Sequence, residues 1–566
     1  MKFKDMPYSR PDAEKMSREI AELIEKFKAC ENFNQQIAVI KDMEKVLNHY
    51  STMESIANIR STIDTRDEFY EKEMEFYDSY GPVLSEKTNA FNKEMLSSPF
   101  RKDLEERIGA VAFKNAELQL KSFSPEIISL KQEENKLSTE YTKLYASAQI
   151  PFEGGIYTIA QLGKFKKSTD RNQRRKAFEA EGAFFDEHRK EFDEIYDKMV
   201  KNRTQQAKKL GFDNFVPLGY MRQVRNCYGV EDVANFRKQV LEDLVPMVTE
   251  LKKVQGKRLG LDSLKMYDDD FHFLDGDPMP KGTPDEILAD GIKMYKEMSP
   301  ETKEFIELME DMELFDLLAK EGKAPGGYCT ALPDYKCPYI FANFNGTDHD
   351  VEVLTHEAGH AFADYVAART LEFSSTFSPS LEGCETHSMS MEFLTSPWHH
   401  LFFKEDTEKY ELTHAEKALS FIPYGTMVDY FQQLVYENPD WTPEERNEAW
   451  AKLEKQFRPW IDKEGMPFYG RGAGWQRQAH IYQAPFYYLD YCLAQTNALQ
   501  VFSIFLNDKD KAWETYMNFV KMGGTRFFTD LCRENGLKCP IDSGCLKETA
   551  KKITPWLKEK QKAFLK

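Results

Sequence analysis

Apolar residues recur along most of the chain at spacings of three and four, which place them on one face of an α-helix. Residues 185–199 follow this spacing with His188 in step, and residues 233–251 follow it with Pro246 inside the run. We therefore predict a helix over each stretch, with a kink at Pro246. Gly211, which follows a Lys-Lys-Leu sequence, is typical of a residue just past a helix end. Because such stripes are packing surfaces, the pattern predicts a mainly α protein.

The helical periodicity is interrupted between residues 321 and 350, where Gly and Pro are frequent. The apolar run Tyr339–Phe344 predicts a buried strand, and the Gly326-Gly327 and Asn345-Gly346 pairs predict turns on either side of it. We expect this segment to form a small antiparallel β-sheet. A second irregular stretch, residues 465–480, interrupts the later helices.

These changes predict two lobes within one compact body. Residues 1–325 would form a helical N-terminal lobe. Residues 326–566 would form a second region that holds the small sheet and the C-terminal helices. The chain shows no Gly- or Ser-rich linker between the two regions, which favours a single compact unit.

Composition limits the function classes. Hydrophobic residues make up 41% and charged residues 30% of the 566 residues, which is typical of a soluble protein with a large core. The net charge of −18 disfavours nucleic acid and anionic membranes as partners. We find no apolar leader and no run of about 18 apolar residues, so we expect neither secretion nor a membrane span. The nine cysteines form no CxxC pair, so we expect free thiols in a reducing cytoplasm.

The sequence Thr355-His356-Glu357-Ala358-Gly359-His360 contains the HExxH pattern. Residues four apart lie on the same face of a helix, so His356 and His360 can direct two imidazole nitrogens at one ion. Two such nitrogens suit Zn²⁺, although Co²⁺ or Mn²⁺ would fit the same donors. Glu357 is close enough to reach a water beside the ion without being a ligand itself.

A catalytic zinc usually has three protein ligands and one open position. A third histidine in an HExxHxxGxxH pattern is excluded, because Ala363 and Val366 stand at the two required positions. A carboxylate from a later element must then complete the site. The candidates are Glu372, Glu382, Glu385 and Glu392.

Glu372 comes so soon after the predicted HExxH helix that the chain cannot easily fold back and bring its carboxylate to the two histidines. Glu385 lies in a helical stretch that places Glu392 on the same face two turns later, so one carboxylate can bind the metal while the other bonds a ligand histidine. On this geometry Glu385 is preferred, with Glu382 as the alternative.

These features resemble the thimet oligopeptidase and oligoendopeptidase F family of zinc metallopeptidases. The resemblance rests on HEAGH with a glutamate 25 residues further on, and on the segments PYIFANFNGTDHDVEVLTHEAGHAF (338–362) and HIYQAPFYYLDYCLAQ (480–495). Within the family, the chain is most similar to the bacterial, Pz-peptidase-like branch of oligoendopeptidase F, which acts on collagen-derived peptides.

The resemblance implies that His356, His360 and Glu385 bind one zinc ion and that Glu357 is the general base. It implies a large helical, two-lobed body that encloses a substrate channel, so that short unstructured peptides enter and folded proteins do not. The expected activity is hydrolysis of internal peptide bonds by a zinc-activated water.

The family also uses a histidine and tyrosines from a later segment to stabilise the tetrahedral intermediate. His480 matches that histidine. Tyr488 and Tyr491 are the favoured tyrosines, although their spacing from His480 departs from the family pattern by a residue or two, and Tyr482 is a further candidate. Each tyrosine has an alternative interpretation as a core aromatic residue.

His387 also departs from the family pattern, since a small or neutral residue is expected there. It would either compete as a ligand, bind substrate or lie exposed on its helix. Two other functions remain open: a zinc carboxypeptidase or peptidyl-dipeptidase with the same metal chemistry, and a helical binding scaffold without catalysis.

Overall fold

The structure is a computed structural model and describes residues 1–463 and 465–565. It is mostly helical, as the sequence predicts. The α-helices are α1 Ala13–Lys28, α2 Phe33–Ile63, α3 Glu68–Leu96, α4 Arg101–Ile108, α5 Ala110–Ser122, α6 Ile128–Ala146, α7 Ile159–Lys166, α8 Arg171–Glu187, α9 Arg189–Lys209, α10 Phe215–Arg222, α11 Val230–Gln239, α12 Val245–Arg258, α13 Pro284–Met298, α14 Pro300–Asp311, α15 Asp348–Thr370, α16 Leu381–Leu394, α17 His399–Phe403, α18 Thr407–Glu437, α19 Pro443–Phe457, α20 Pro467–Gly470, α21 Ala479–Gln483, α22 Tyr488–Phe505, α23 Lys509–Met522, α24 Phe528–Glu534 and α25 Cys545–Ala563. The strands are β1 Ile150–Phe152, β2 Gly155–Tyr157, β3 Phe315–Leu318, β4 Tyr328–Leu332 and β5 Cys337–Phe344.

The two predicted helical runs are each interrupted once. The run 185–199 is divided at His188, which links α8 to α9, yet its apolar residues remain buried on both sides of the break. The run 233–251 passes through a π-helical turn, Val240–Leu244, and Pro246 lies in the first turn of α12. Proline lacks the N–H that a continuous helix needs, so the chain restarts the helix there. Gly211 follows α9 at a φ of 84°, as predicted for a residue past a helix end.

The described chain forms two compact units, and each is assembled from three separate segments. The first unit comprises Met1–Ser124, Met279–Thr407 and Gln500–Lys538, and the second comprises Pro125–Pro278, Glu408–Leu499 and Cys539–Lys566. The predicted lobes 1–325 and 326–566 therefore do not coincide with these units. Composition changes near residue 321 because the loop between β3 and β4 lies there, and the whole sheet lies inside the first unit.

The first unit contains a three-stranded sheet with β5 in the centre, β3 on one side and β4 on the other. β4 and β5 pair antiparallel, with Cys329 opposite Ile340, as expected for neighbouring strands joined by a short turn. β3 runs parallel to β5, so the sheet as a whole is mixed, while the antiparallel pairing that the sequence predicts is found between β4 and β5. The predicted strand Tyr339–Phe344 lies within β5.

Lys323, in the loop after β3, forms hydrogen bonds with both β3 and β5. Its ammonium group donates hydrogen bonds to the carboxylate of Asp316 and to the carbonyl oxygens of Leu318 and Ala342, at 2.5, 2.9 and 2.5 Å. It also lies 4.4 Å from the centre of the Phe341 ring. The side chain of Lys323 is fully buried, so these contacts replace its whole hydration shell.

The second unit has an aromatic core. The ring of Tyr482 stacks on Tyr141 with ring centres 4.0 Å apart, and on the other side it faces Trp475 at 5.8 Å. All three side chains are buried. Within the described residues, no helix combines the length and the apolar character that crossing a membrane requires.

We expect Lys323→Met to destabilise the first unit by about 1–3 kcal/mol, because Asp316 and the carbonyl oxygens of Leu318 and Ala342 lose the donor that they share. Lys320→Met is the matched control, since Lys320 also pairs with Asp316 but is 47% exposed, and it should change stability by less than about 1 kcal/mol. The midpoints of urea unfolding measure both effects. Equal midpoints for the two variants would contradict the role given to Lys323.

Candidate metal centre

Helix α15 carries the HExxH sequence and begins directly after the central strand. The turn between them is held by Asp350, whose carboxylate accepts hydrogen bonds from the backbone N–H groups of Asn345 and Gly346 at 2.9 and 2.7 Å. Thr347 is the residue before the helix but makes no side-chain cap. An acidic residue in the first turn is favoured there because it faces the positive end of the helix dipole.

Helices α15 and α16 cross at Gly359, the fourth residue of HEAGH. A methyl group added at Gly359 would lie 2.6 Å from Cα of Ser388 and 2.9 Å from the carbonyl oxygen of His387. Only glycine allows the two backbones to approach this closely. The crossing brings Glu385, on the second turn of α16, to the face of α15 that carries the two histidines.

Three donor atoms converge at this crossing. Nε2 of His356 lies 3.3 Å from Oε2 of Glu385, and Nε2 of His360 lies 3.4 Å from the same oxygen. The donor atoms of the three residues all lie within 4.8 Å of one another. Two imidazoles and one carboxylate are the donor set of many catalytic zinc sites, which keep a fourth position open.

Glu392 orients one of the imidazoles. Its Oε1 lies 2.7 Å from Nδ1 of His356, so that nitrogen donates its proton to the carboxylate and Nε2 is left to face Glu385. The sequence-based expectation of a second carboxylate on the same helix face, bonded to a histidine of the pair, is met by this contact.

The pKa shifts of His356 and Glu385 indicate a site in which a positive charge is stabilised. Burial lowers the pKa of His356, but hydrogen bonds to Glu385 and Glu392 outweigh it and hold that pKa well above the usual value. Burial raises the pKa of Glu385, but the two imidazoles outweigh it and hold that pKa well below the usual value. The proton on His356 thus occupies the place of a positive ion, and a bound metal would displace it.

Glu357 lies beside the donor cluster and is 9% exposed. Burial raises the pKa of its carboxyl group, an effect that the nearby imidazoles of His356 and His360 partly offset. The backbone N–H of Cys329, on strand β4, donates a hydrogen bond to Glu357 and so fixes its position. Asp364, one turn after His360, is a further carboxyl group of this region, and burial raises its pKa to about 6.

The other sequence candidates lie elsewhere. Glu372 is on the surface, where it pairs with Lys41 and Arg107. Glu382 is buried in the first turn of α16 but is not part of the converging group. Neither position offers a donor to the cluster, which agrees with the preference for Glu385.

His387 is neither exposed nor part of the donor cluster. Its side chain is 2% exposed and its ring packs edge-on against Phe519, with centres 5.5 Å apart. Burial lowers its pKa to about 3, with a further contribution from His360, so the imidazole is neutral. It is a core residue of the α16 packing.

His480, Tyr488 and Tyr491 belong to the second unit, where they lie together. The ring of His480 is 4.9 Å from that of Tyr488, 6.0 Å from that of Tyr491 and 5.8 Å from that of Tyr487. All four side chains are half-buried rather than enclosed. Tyr482, by contrast, is fully buried in the aromatic core, so it is not available to a ligand.

Sequence reasoning missed two features of the site. The N–H of Cys329 that bonds Glu357 comes from the backbone of a neighbouring strand, and no side-chain pattern signals it. The close helix crossing was signalled by Gly359 inside the motif, which is an unusual residue for the middle of a buried helix.

A converging His-His-Glu donor set beside a buried glutamate defines the class of metal-dependent hydrolases. Comparison of the sequence with models of known protein families identifies the family within this class. Residues 164–551 match the model of peptidase family M3, and residues 3–123 match that of the peptidase M3 N-terminal domain. The chain belongs to peptidase family M3 and is a metalloendopeptidase, a hydrolase of peptide bonds.

Individual relatives agree with the family. The solved structure of Pz peptidase A with an inhibitor is 47% identical and covers 99% of this chain and 100% of its own, with a TM-score of 0.95. A Bacillus anthracis (strain Ames) protein described as an oligoendopeptidase F is 43% identical, with coverages of 99% and 98% and a TM-score of 0.89. Oligopeptidase PepF of Bacillus subtilis (strain 168) is 21% identical over 89% of this chain and 78% of its own.

We expect Gly359→Ala to weaken the binding of an added divalent metal ion such as Zn²⁺ by about 10-fold or more, because the added methyl group forces α16 and Glu385 away from the histidines. Overpacking should also destabilise the first unit by about 1–3 kcal/mol. Competition with a chromogenic chelator measures the affinity, and urea unfolding measures the stability.

The control is Gly163→Ala, in helix α7 of the second unit, where an added methyl group meets no atom within 4 Å beyond its chain neighbours. It should leave zinc affinity unchanged and stability equal or slightly higher. Zinc affinity of Gly359→Ala equal to that of the parent would show that the close crossing does not set the donor geometry.

Proposed function

We propose that the chain is a zinc-dependent oligoendopeptidase that hydrolyses internal bonds of short, unstructured peptides. The observation that carries the proposal is the convergence of His356, His360 and Glu385 within 4.8 Å of one another, with Glu357 beside them. Family membership supports the peptidase chemistry, and the names of the relatives support the oligopeptide substrates.

His356, His360 and Glu385 would hold the ion, and their chemistry fits Zn²⁺ because all three are donors that zinc accepts. When bound, such an ion supplies a Lewis acid that makes a nearby water more acidic and a peptide carbonyl more electrophilic. Glu392 holds Nδ1 of His356 and keeps its Nε2 available as a donor.

Glu357 is the proposed general base. Its carboxylate takes a proton from the attacking water and later passes it to the leaving amine. The raised pKa that burial produces makes it a better proton acceptor than an exposed glutamate, and the N–H of Cys329 keeps it in one place. Neither contact makes Glu357 a ligand, so it stays free to exchange protons.

His480, Tyr488 and Tyr491 are the proposed donors to the oxyanion of the tetrahedral intermediate. Each carries an N–H or O–H group, and a donor of this kind is worth about 3–4 kcal/mol when it is aimed at the developing charge. Burial holds the pKa of Tyr488 well above its usual value, so its hydroxyl keeps its proton at neutral pH.

An extended peptide would bind along strand β4. β5 already has a strand on each side, whereas β4 lies at the edge of the sheet and pairs with β5 alone among the strands of this sheet. Added strands gain affinity from backbone hydrogen bonds and demand little of the side chains, which suits a peptidase of broad specificity. Because Cys329 on β4 contacts Glu357, a peptide on this edge would pass close to the base.

A cytoplasmic location is part of the proposal. Cys329, Cys337 and Cys492 are free thiols, and such thiols fit a reducing compartment. The enclosed channel that would exclude folded proteins also remains a prediction from the family resemblance.

Glu357→Gln should keep zinc but reduce kcat by about 100-fold or more, because the amide cannot accept the proton of water. Zinc content and kcat on a fluorogenic peptide are measured on the same preparation. Glu372→Gln is the control, since that surface glutamate has no role in the site, and it should keep full activity. A kcat for Glu357→Gln above a tenth of the parent value would rule out Glu357 as the base.

A ten-residue peptide blocked at both ends should be cleaved at internal bonds, because an endopeptidase needs no free terminus. Mass spectrometry of the products identifies the bonds. Chelation should abolish the cleavage and zinc should restore it. A requirement for a free C-terminus would instead favour a carboxypeptidase or peptidyl-dipeptidase, and efficient cleavage of a folded protein would contradict the channel.

A further inference from the structure

Gln478 lies between the proposed oxyanion donor His480 and the hydroxyl of a half-buried tyrosine, Tyr424. Its Nε2 is 3.1 Å from Nδ1 of His480, and its Oε1 is 2.9 Å from the hydroxyl of Tyr424. The same amide also bonds the hydroxyl of Tyr488. One side chain therefore contacts the proposed donor histidine and one of its tyrosines, and none of the chemistry proposed above uses it.

The direction of these hydrogen bonds determines where His480 carries its proton. A tyrosine hydroxyl that donates to Oε1 leaves the NH₂ group of Gln478 facing the imidazole, and this group can only donate. Nδ1 of His480 must then accept, so the neutral ring carries its hydrogen on Nε2.

Gln478 is itself held from two sides. Its backbone N–H donates to the carbonyl oxygen of Trp475 at 2.9 Å, which fixes the residue at the end of a short 3₁₀ turn just before α21. The ring of Tyr424 is held by the guanidinium of Arg458, which lies 5.1 Å from the ring centre and is bonded to Asp269 at 2.8 Å. Gln478 and Tyr424 are thus each held in place by contacts that do not involve His480.

We propose that Gln478 is a positioning residue that holds His480 as the neutral tautomer with its hydrogen on Nε2. This inference rests on the function proposed for His480, which needs an N–H group to donate to an oxyanion. An amide suits the task because, unlike a carboxylate, it orients the ring without favouring the charged imidazolium. With the amide reversed, its oxygen would accept from Nδ1, and Nε2 would present a lone pair to the oxyanion.

The tautomer can be read directly by NMR. The zinc-loaded enzyme is labelled with ¹⁵N-histidine, and the signals of His480 are identified by their loss in His480→Gln. We expect the parent to show a protonated Nε2 and a bare Nδ1. Gln478→Glu should place a proton on Nδ1, because a carboxylate can only accept, and should favour the imidazolium. Gln478→Met, which has similar length and no amide, should give a mixture of tautomers.

The kinetic consequence is a loss of kcat rather than of substrate binding. Gln478→Met should lower kcat by about 10-fold with little change in KM, since the donor acts mainly in the transition state. Gln483→Met is the matched control, because Gln483 is an exposed residue at the end of α21, the short helix that carries His480, and its amide bonds the surface hydroxyl of Thr142. It should keep the parent kcat.

The outcomes separate this inference from the function on which it rests. A parent enzyme with its hydrogen on Nδ1, together with an inactive His480→Gln variant, would overturn the positioning by Gln478 alone. Full activity of His480→Gln would show that His480 is not an oxyanion donor, and the orientation of His480 by Gln478 would then have no catalytic effect. An unchanged kcat for Gln478→Met would likewise overturn the inference, even with the expected tautomer in the parent.

Discussion

Two helices of the first unit approach so closely at Gly359 that the backbone of α16 occupies the place of a side chain. Cα of Ser388 is 2.6 Å from the position that a Cβ at residue 359 would take. This contact sets the distance from Glu385 to His356 and His360, which come from a different helix. The strand and turn that precede α15 fix where that helix begins, and Gly359 then fixes how deeply its partner can lie against it.

The charged groups at the crossing stabilise one another. His356 and Glu385 lie 3.3 Å apart, and each shifts the pKa of the other toward the charged form against the cost of burial. Glu392 adds a second negative partner on the far nitrogen of His356. A bound ion would displace the proton from Nε2 of His356, which links metal binding to proton release.

Much of the fold could be predicted from local patterns. The helical stripes, the strand around Tyr339–Phe344 and the turn after it depend on periodicity and turn residues, which are properties of short segments. The grouping into compact units could not be predicted, because each unit joins segments that lie far apart in the chain. The parallel pairing of β3 with β5 was missed for the same reason, since β4 intervenes between them in sequence.

The site was predictable where one helix carries the information. Glu392 two turns after Glu385 followed from helical spacing, as did the pairing of His356 with His360. Contacts that join separate elements are harder to predict from the sequence. No sequence pattern indicates the hydrogen bond from the N–H of Cys329 to Glu357, and Gln478 stands out only because it is close to His480 in the chain. His387 was misleading because a histidine near a metal motif suggests a ligand, whereas packing against Phe519 makes it part of the core.

The central claim is that the close crossing of α15 and α16 builds a single three-donor zinc site completed by Glu385. The most direct test is a zinc titration of the metal-free parent and of the variants Glu385→Gln and Glu382→Gln, followed by X-ray absorption at the zinc edge. The account predicts one tightly bound zinc with two imidazole ligands in the parent and in Glu382→Gln, and binding weakened by orders of magnitude in Glu385→Gln. Unchanged zinc affinity in Glu385→Gln, or its loss in Glu382→Gln, would contradict it.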